Sequence, residues 1–289
     1  MISFELDYQR PKTIQEAVKA LGAAREAKVL AGGHSLLPLM KLGLAQPRTL
    51  IDIGGIAALR EIRSSGSGGE ITIGALVTHE QIADDAAIAK SLTALADAAA
   101  SVGDVQVRAR GTIGGSLAHA DPAADEPAAI LAFDATLTAI GPKGERTIKA
   151  SEFFKGVFET ALATDEILTQ IRVPTPAPRT GSAYVFFPHP ASRFAIVGVA
   201  AVVTRGADGA ISKAAIAVIG AAERPFRSGA AEKALLGSRG DAAAVAKAAA
   251  TAAEGLTALE DLTASATFRT HLVSVFTKRA VTTALERAK

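Results

Sequence analysis

Residues 31–35 read Ala31-Gly32-Gly33-His34-Ser35, and residues 111–116 read Gly111-Thr112-Ile113-Gly114-Gly115-Ser116. The second stretch runs on through Leu117, Ala118, His119 and Ala120 into Asp121-Pro122-Ala123-Ala124-Asp125. Adjacent glycines tolerate positive φ and let successive N–H groups face an anion with no side chain in the way. A helix following the first segment would add its N-terminal dipole. Alone, a Gly-Gly pair after a strand is more often a plain turn. Neither segment is a GxGxxG fingerprint or a Walker loop, so neither a Rossmann NAD site nor an ATPase is supported. Two small-residue segments together suit a dinucleotide whose pyrophosphate is gripped from both sides.

The flanking sequence reads as mixed α and β structure. Thr13 caps a helix over Ile14–Ala23, with Glu16 closing a capping box, and Ile14, Ala17, Val18 and Leu21 share one face. Lys28-Val29-Leu30 reads as a short buried strand, residues 36–42 as a helical turn and Leu50-Ile51-Asp52-Ile53 as another strand. Ser64 to Gly69 (SSGSGG) forms a flexible hairpin turn into Ile71-Thr72-Ile73. Residues 88–102 are helical and Ala-rich; residues 137–140 and 147–149 pair around a turn at Pro142. Pro174, Pro176 and Pro178, at alternate positions, bar a helix or a central strand there and mark a boundary. Beyond it, residues 195–204 and Ile211–Ile219 are strands joined at Gly206 to Gly209, and residues 242–256 and 271–287 are helical. The reading divides the chain into residues 1–175 (subdomains of about 1–60 and 61–175) and 179–289.

Composition removes several functions. The 289 residues hold no cysteine, hence no disulfide, no Cys-ligated zinc, no iron–sulfur cluster and no cysteinyl flavin link. Lys and Arg exceed Asp and Glu by only two, so no global field attracts nucleic acid. The start lacks an apolar leader segment and no run reaches the length of a membrane span, so a cytoplasmic protein is expected. The abundant alanine reads as background. Asp121 and Asp125 have no histidine cluster beside them, which disfavours a metal; Asp125 fits better as an acceptor for a ligand hydroxyl or ring N–H. The five histidines are scattered, none paired at i, i+4. Arg108 and Arg110 read as solvated.

With these residues in place, AGGHSLLPLMKLGLAQPRTLIDIGGI (31–56) and GTIGGSLAHADPAADEPAAI (111–130) resemble the flavin-binding medium subunit of molybdenum hydroxylases, the carbon monoxide and xanthine dehydrogenase type. The resemblance covers nearly the whole chain. It implies an α+β fold: two subdomains enclosing FAD (the PCMH type), then a C-terminal domain with a three-stranded antiparallel sheet and a helical bundle. It also implies a site. Ala31, Gly32, Gly33, His34 and Ser35 would wrap the pyrophosphate, flanked by Leu30 and Leu36. Thr112, Gly114, Gly115 and Ser116, with Ala118 beyond them, would form the second grip. Val102, Gly103, Val107 and Gly111 would line the cleft, and Asp125 would accept from FAD. Ile167 and Leu168 would lie beside the adenine end and Phe194 beside the isoalloxazine ring. No residue is assigned as catalytic or as a metal ligand. The iron–sulfur clusters and the molybdenum cofactor would sit on partners, a small and a large subunit, in a heterotrimer or its dimer.

Three positions depart from the resemblance: Ser116 for a common Asn, Glu126 for a usual apolar or aromatic residue, and Phe186 for a common Lys. Two other functions compete with a flavoprotein electron-transfer subunit. One is a self-contained oxidase with FAD linked through His34, as in oxidases sharing a GGHS stretch, although no substrate domain is evident. The other is a nucleotide-binding assembly module without redox function.

Overall fold

The computed structural model describes residues 4–66 and 69–289; the turn expected over 64–69 falls in part on Ser67 and Gly68, outside them. The first unit is a three-stranded parallel sheet with Thr49–Asp52 between Asp7–Gln9 and Ala27–Leu30. The helix Ile14–Ala23 buries Ile14, Ala17, Val18 and Leu21, the face read from the spacing. Thr13 Oγ1 accepts from the Glu16 N–H at 3.1 Å, but the Glu16 carboxylate takes the N–H of Lys12, so the box closes one residue early. Ala27–Leu30 is an edge strand and only half-buried, not the buried strand that its apolar residues suggest.

A five-stranded antiparallel sheet follows, ordered Ile62–Ser64, Glu70–Gly74, Ile167–Pro174, Thr136–Gly141 and Gly144–Lys149. The proline run does not exclude a central strand. Ile167–Pro174 is the middle of the five, and Pro174 pairs only with Glu70, because the ladder on the other side stops at Arg172. No ladder bond is lost to the missing N–H. The expected helix over 88–102 is two helices, Ala86–Ser91 and Thr93–Ser101, broken at Leu92.

The last unit is an antiparallel meander of four strands, Thr180–Pro188, Ala195–Arg205, Ile211–Ile219 and Phe226–Arg227, rather than three. Gly220, at φ +77°, turns the chain back so that Phe226 pairs with Val218 and Arg227 with Ala217. Helices Gly229–Leu235, Ala242–Thr251 and Ala266–Arg287 complete it. Residues 195–203 are buried without alternation because both faces of this sheet are covered. Val197, Val199, Ala201 and Val203 join the core of the C-terminal helices, whereas Ala200 and Val202 join the core of the preceding domain. Small residues let the layers approach: a Cβ at Gly181 would overlap the carbonyl oxygen of Ala284. The preceding domain is also clasped from a distance, since Arg287 donates to Asp97 at 2.6 Å and to the Ser182 carbonyl at 2.8 Å.

Candidate functional site

The first glycine segment leaves the edge strand Ala27–Leu30 and enters the short helix Leu36–Lys41. Gly33 sits at φ +80°, where any Cβ is strained. Among the described residues, the N–H groups of Gly32, Gly33, His34 and Ser35 have no acceptor within the chain. Four successive donors without partners form a set that an anion would satisfy. His34 and Ser35 are exposed, and His34 Nδ1 lies 3.1 Å from the Gly32 carbonyl oxygen.

The second glycine segment is not a loop but the start of the helix Ile113–His119, capped by Thr112, whose hydroxyl accepts from the Gly115 N–H. Its other amides are also taken: Ile113 donates to Val77, Gly114 to Ala75 and Ser116 to Thr112. It therefore offers small surfaces and two hydroxyls, Thr112 and Ser116, where the first segment offers N–H groups. The two segments meet. A Cβ on Gly32 would overlap the Arg110 carbonyl oxygen and stand 2.8 Å from Gly111 Cα, and a Cβ on Gly115 would approach Ala31 Cβ at 3.9 Å.

Val102, Gly103 and Val107 form the adjoining turn, with Gly103 at φ +48° beneath the Val107 side chain. The Gly111 N–H donates to the Val107 carbonyl at 2.7 Å, tying this turn to the junction. Arg108 is half-buried and braces the turn by donating to the Val102 carbonyl at 3.0 Å, so it is not the solvated arginine expected. Leu30 and Leu36 flank the first segment, half-buried, and Ala118 is exposed on the helix beyond Ser116.

The remaining residues named from the sequence stand outside this junction, and only the strand of Ile167 and Leu168 packs on the helix of the second segment. Ile167 and Leu168 are buried in the central strand, in two different cores. Phe194 is 53% exposed, and its carbonyl accepts from the His189 N–H across a turn. Asp125 is 6% exposed and accepts from the Tyr184 hydroxyl at 2.6 Å. Phe186 stacks on Tyr184, ring centroids 5.9 Å apart, so the position where lysine is common extends an apolar core.

Burial pushes the Asp125 carboxyl up to about 7, with Glu126 adding to the rise and the Tyr184 hydroxyl opposing it. Burial and the neighbouring Asp125 raise the Tyr184 hydroxyl in turn. The folded value of Asp125 lies above the unfolded one of 3.8, so the folded chain binds the extra proton in that interval and loses stability as pH rises through it to about 7. Asparagine keeps an acceptor for Tyr184 and cannot ionise. Asp125→Asn is therefore expected to melt higher than the parent chain at about pH 8 and equally at about pH 4. Parallel melting curves at both pH values would show that Asp125 carries no such linkage.

His79 was not singled out from the sequence, yet it stands against the second segment. Thr78 and Gln81 form a capping box that starts the helix His79–Asp84, and the His79 N–H donates to the Gly111 carbonyl at 3.1 Å. The signal available was that box, Thr78-His79-Glu80-Gln81, which follows the apolar run Ala75-Leu76-Val77.

Residues 3–176 match the family described as the FAD binding domain in molybdopterin dehydrogenase, and residues 182–284 match the CO dehydrogenase flavoprotein C-terminal domain. The carbon monoxide dehydrogenase medium chain of Hydrogenophaga pseudoflava is 40% identical over 288 residues, 99% of each chain. A solved carbon monoxide dehydrogenase from that organism, lacking the Mo-pyranopterin moiety of its cofactor, superposes with a TM-score of 0.95 at 41% identity over the full length of both chains. Quinoline 2-oxidoreductase from Pseudomonas putida 86 gives 0.93 at 33% identity, covering 100% of this chain and 99% of that one. With matches along the whole chain and a shared architecture, the chain belongs to the FAD-binding medium subunits of the carbon monoxide dehydrogenase type of molybdenum hydroxylase, a class of oxidoreductase subunits.

Proposed function

We propose that this chain holds FAD without a covalent bond at the junction of Gly32 and Gly111, and relays electrons from an iron–sulfur subunit to an external acceptor. The observation that carries this reading is the row of unpartnered N–H groups from Gly32 to Ser35, set where the two glycine segments touch. These amides would bind the diphosphate, and Thr112 and Ser116 would add hydroxyls from the opposite side, with Gly114 and Gly115 keeping that side open. Leu30, Leu36, Val102, Gly103 and Val107 would exclude water from the cleft. Phe194, exposed on its turn, would shield the ring system, and Asp125, Ile167 and Leu168 would support the cleft from within.

FAD when bound supplies the redox chemistry, exchanging electrons singly with clusters and in pairs with acceptors. This chain contributes grip and orientation. It has no cysteine, so iron–sulfur clusters would lie on a small partner subunit; the molybdenum cofactor would lie on a large one, in a heterotrimer or its dimer. The substrate is then chosen elsewhere in the complex. The same reading divides the chain into an FAD-binding part, residues 1–175, and a C-terminal part, residues 179–289, and carries a cytoplasmic location.

Purified alone, the chain should show an oxidised-flavin spectrum without cluster absorbance and should hydroxylate nothing. Acid precipitation should leave the colour in the supernatant. A yellow pellet would instead assign a link through His34, and substrate-driven bleaching by the isolated chain would make it a self-contained oxidase.

A further inference from the structure

Behind the junction lies a pair whose side-chain hydrogen bond has no part in the contacts above. His79 Nδ1 and Glu126 Oε1 are 2.8 Å apart, and their side chains are 6% and 0% exposed. The second oxygen, Glu126 Oε2, is buried with no partner among the described residues. A Cβ on Gly111 would lie 2.7 Å from both Cδ2 and Nε2 of His79, and the Cβ direction of Gly32 meets Gly111 Cα. Imidazole, Gly111 and Gly32 are thus successive layers in contact. Among the described residues, His79 Nε2 has no hydrogen-bond partner in the chain.

We propose that His79 and Glu126 are positioning residues for the diphosphate of the bound dinucleotide: the carboxylate holds a positively charged imidazole directly behind Gly111, where that charge stabilises the anion gripped by residues 32–35. The inference rests on the FAD reading. A buried imidazole left to itself loses its proton; here burial is outweighed by the charge and hydrogen bond of Glu126 and by the charge of Asp125, which raise the His79 pKa against the opposing charge of Arg108. The other groups nearby are committed elsewhere. Tyr184 is bonded to Asp125, and Asp97, on the packed helix Thr93–Ser101, to Arg287 and the Tyr184 N–H. A buried carboxylate with one oxygen unpaired is a poor way to stabilise a helix start, and an apolar residue of similar volume would serve packing at least as well. The pair is placed where its charge matters.

The test compares the full-length parent chain with Glu126→Gln, Glu126→Leu and His79→Gln. The readouts are the Kd for FAD by flavin fluorescence, the ³¹P resonances of bound FAD, and the melting temperature of the FAD-free chain. Glutamine at 126 keeps the acceptor for Nδ1 and removes only the charge. Glu126→Gln and His79→Gln are expected to weaken FAD about tenfold, as the loss of one close charge pairing would, and to shift the ³¹P resonances, with the FAD-free melting temperature unchanged or higher. Glu126→Leu should weaken FAD at least as much. A Kd and ³¹P spectrum in Glu126→Gln equal to the parent's would overturn the proposal. So would a fall in FAD affinity matched by an equal loss of FAD-free stability, since the pair would then be structural. A parent chain that holds no FAD would end the underlying reading as well, and is distinguishable from either result.

Discussion

Gly32→Val is expected to yield a colourless chain. A valine Cβ at this position would overlap the Arg110 carbonyl oxygen and press on Gly111 Cα, both backbone atoms with nowhere to move. Overpacking of this kind costs about 1–3 kcal/mol or more, released here by parting the two segments. The anion set of residues 32–35 would then face open solvent instead of Thr112 and Ser116. The cause differs from the one that the sequence suggests, a Cβ blocking the anion itself: the clash is between protein segments. Gly22→Ala is the control, because a Cβ there meets nothing within 4 Å and alanine favours the helix. Stoichiometric FAD in Gly32→Val after gel filtration would remove the junction from the site.

The largest loss of stability is expected at a residue far from that junction. Arg269, on the helix Ala266–Arg287, is buried and donates to the carbonyls of Ile196 and Gly220, both at 2.6 Å, and to Asp261 at 2.6 Å. Arg269→Leu leaves two buried carbonyls without partners, at about 1–3 kcal/mol each. Against a net stability of about 5–15 kcal/mol, that loss is large. Arg269→Lys should recover part of it, since one ammonium cannot reproduce the planar fork. Urea unfolding checks both, and a midpoint in Arg269→Leu equal to the parent's would show that the guanidinium contributes nothing to holding the turn at Gly220.

Local features were legible in the sequence. Thr13, the face of Ile14–Ala23, the hairpin at Pro142 and the first glycine segment depend on neighbours a few residues away, and each stands close to where its pattern puts it. Features set by distant partners were not. The stretch from Gly111 to Gly114 looks like a loop until Val77 accepts from the Ile113 N–H and Ala75 from the Gly114 N–H, which starts a helix. Pro174 looks like a strand breaker because its tolerance depends on a neighbouring ladder ending two residues earlier. The abundant alanine looks like background composition, yet Ala94 and Ala98 of the helix Thr93–Ser101 and Ala200 and Ala217 of the doubly covered sheet are buried in one shared core. Glu126 was visible as an odd residue, but its partner lies 47 positions upstream.

The bond from Arg287 to Asp97 spans 190 positions, and with it the ribosome enters the account. Translation at about 5–20 residues per second leaves an interval of about 10–40 s between the emergence of the two residues. During that time the helix Thr93–Ser101 is already made, but the Ser182 hydroxyl that accepts from its Ala94 N–H arrives only midway, and the clasp at Asp97 arrives last. From the emergence of that helix until Thr180–Pro188 and then Arg287 arrive, the nascent first domain keeps its alanine face uncovered.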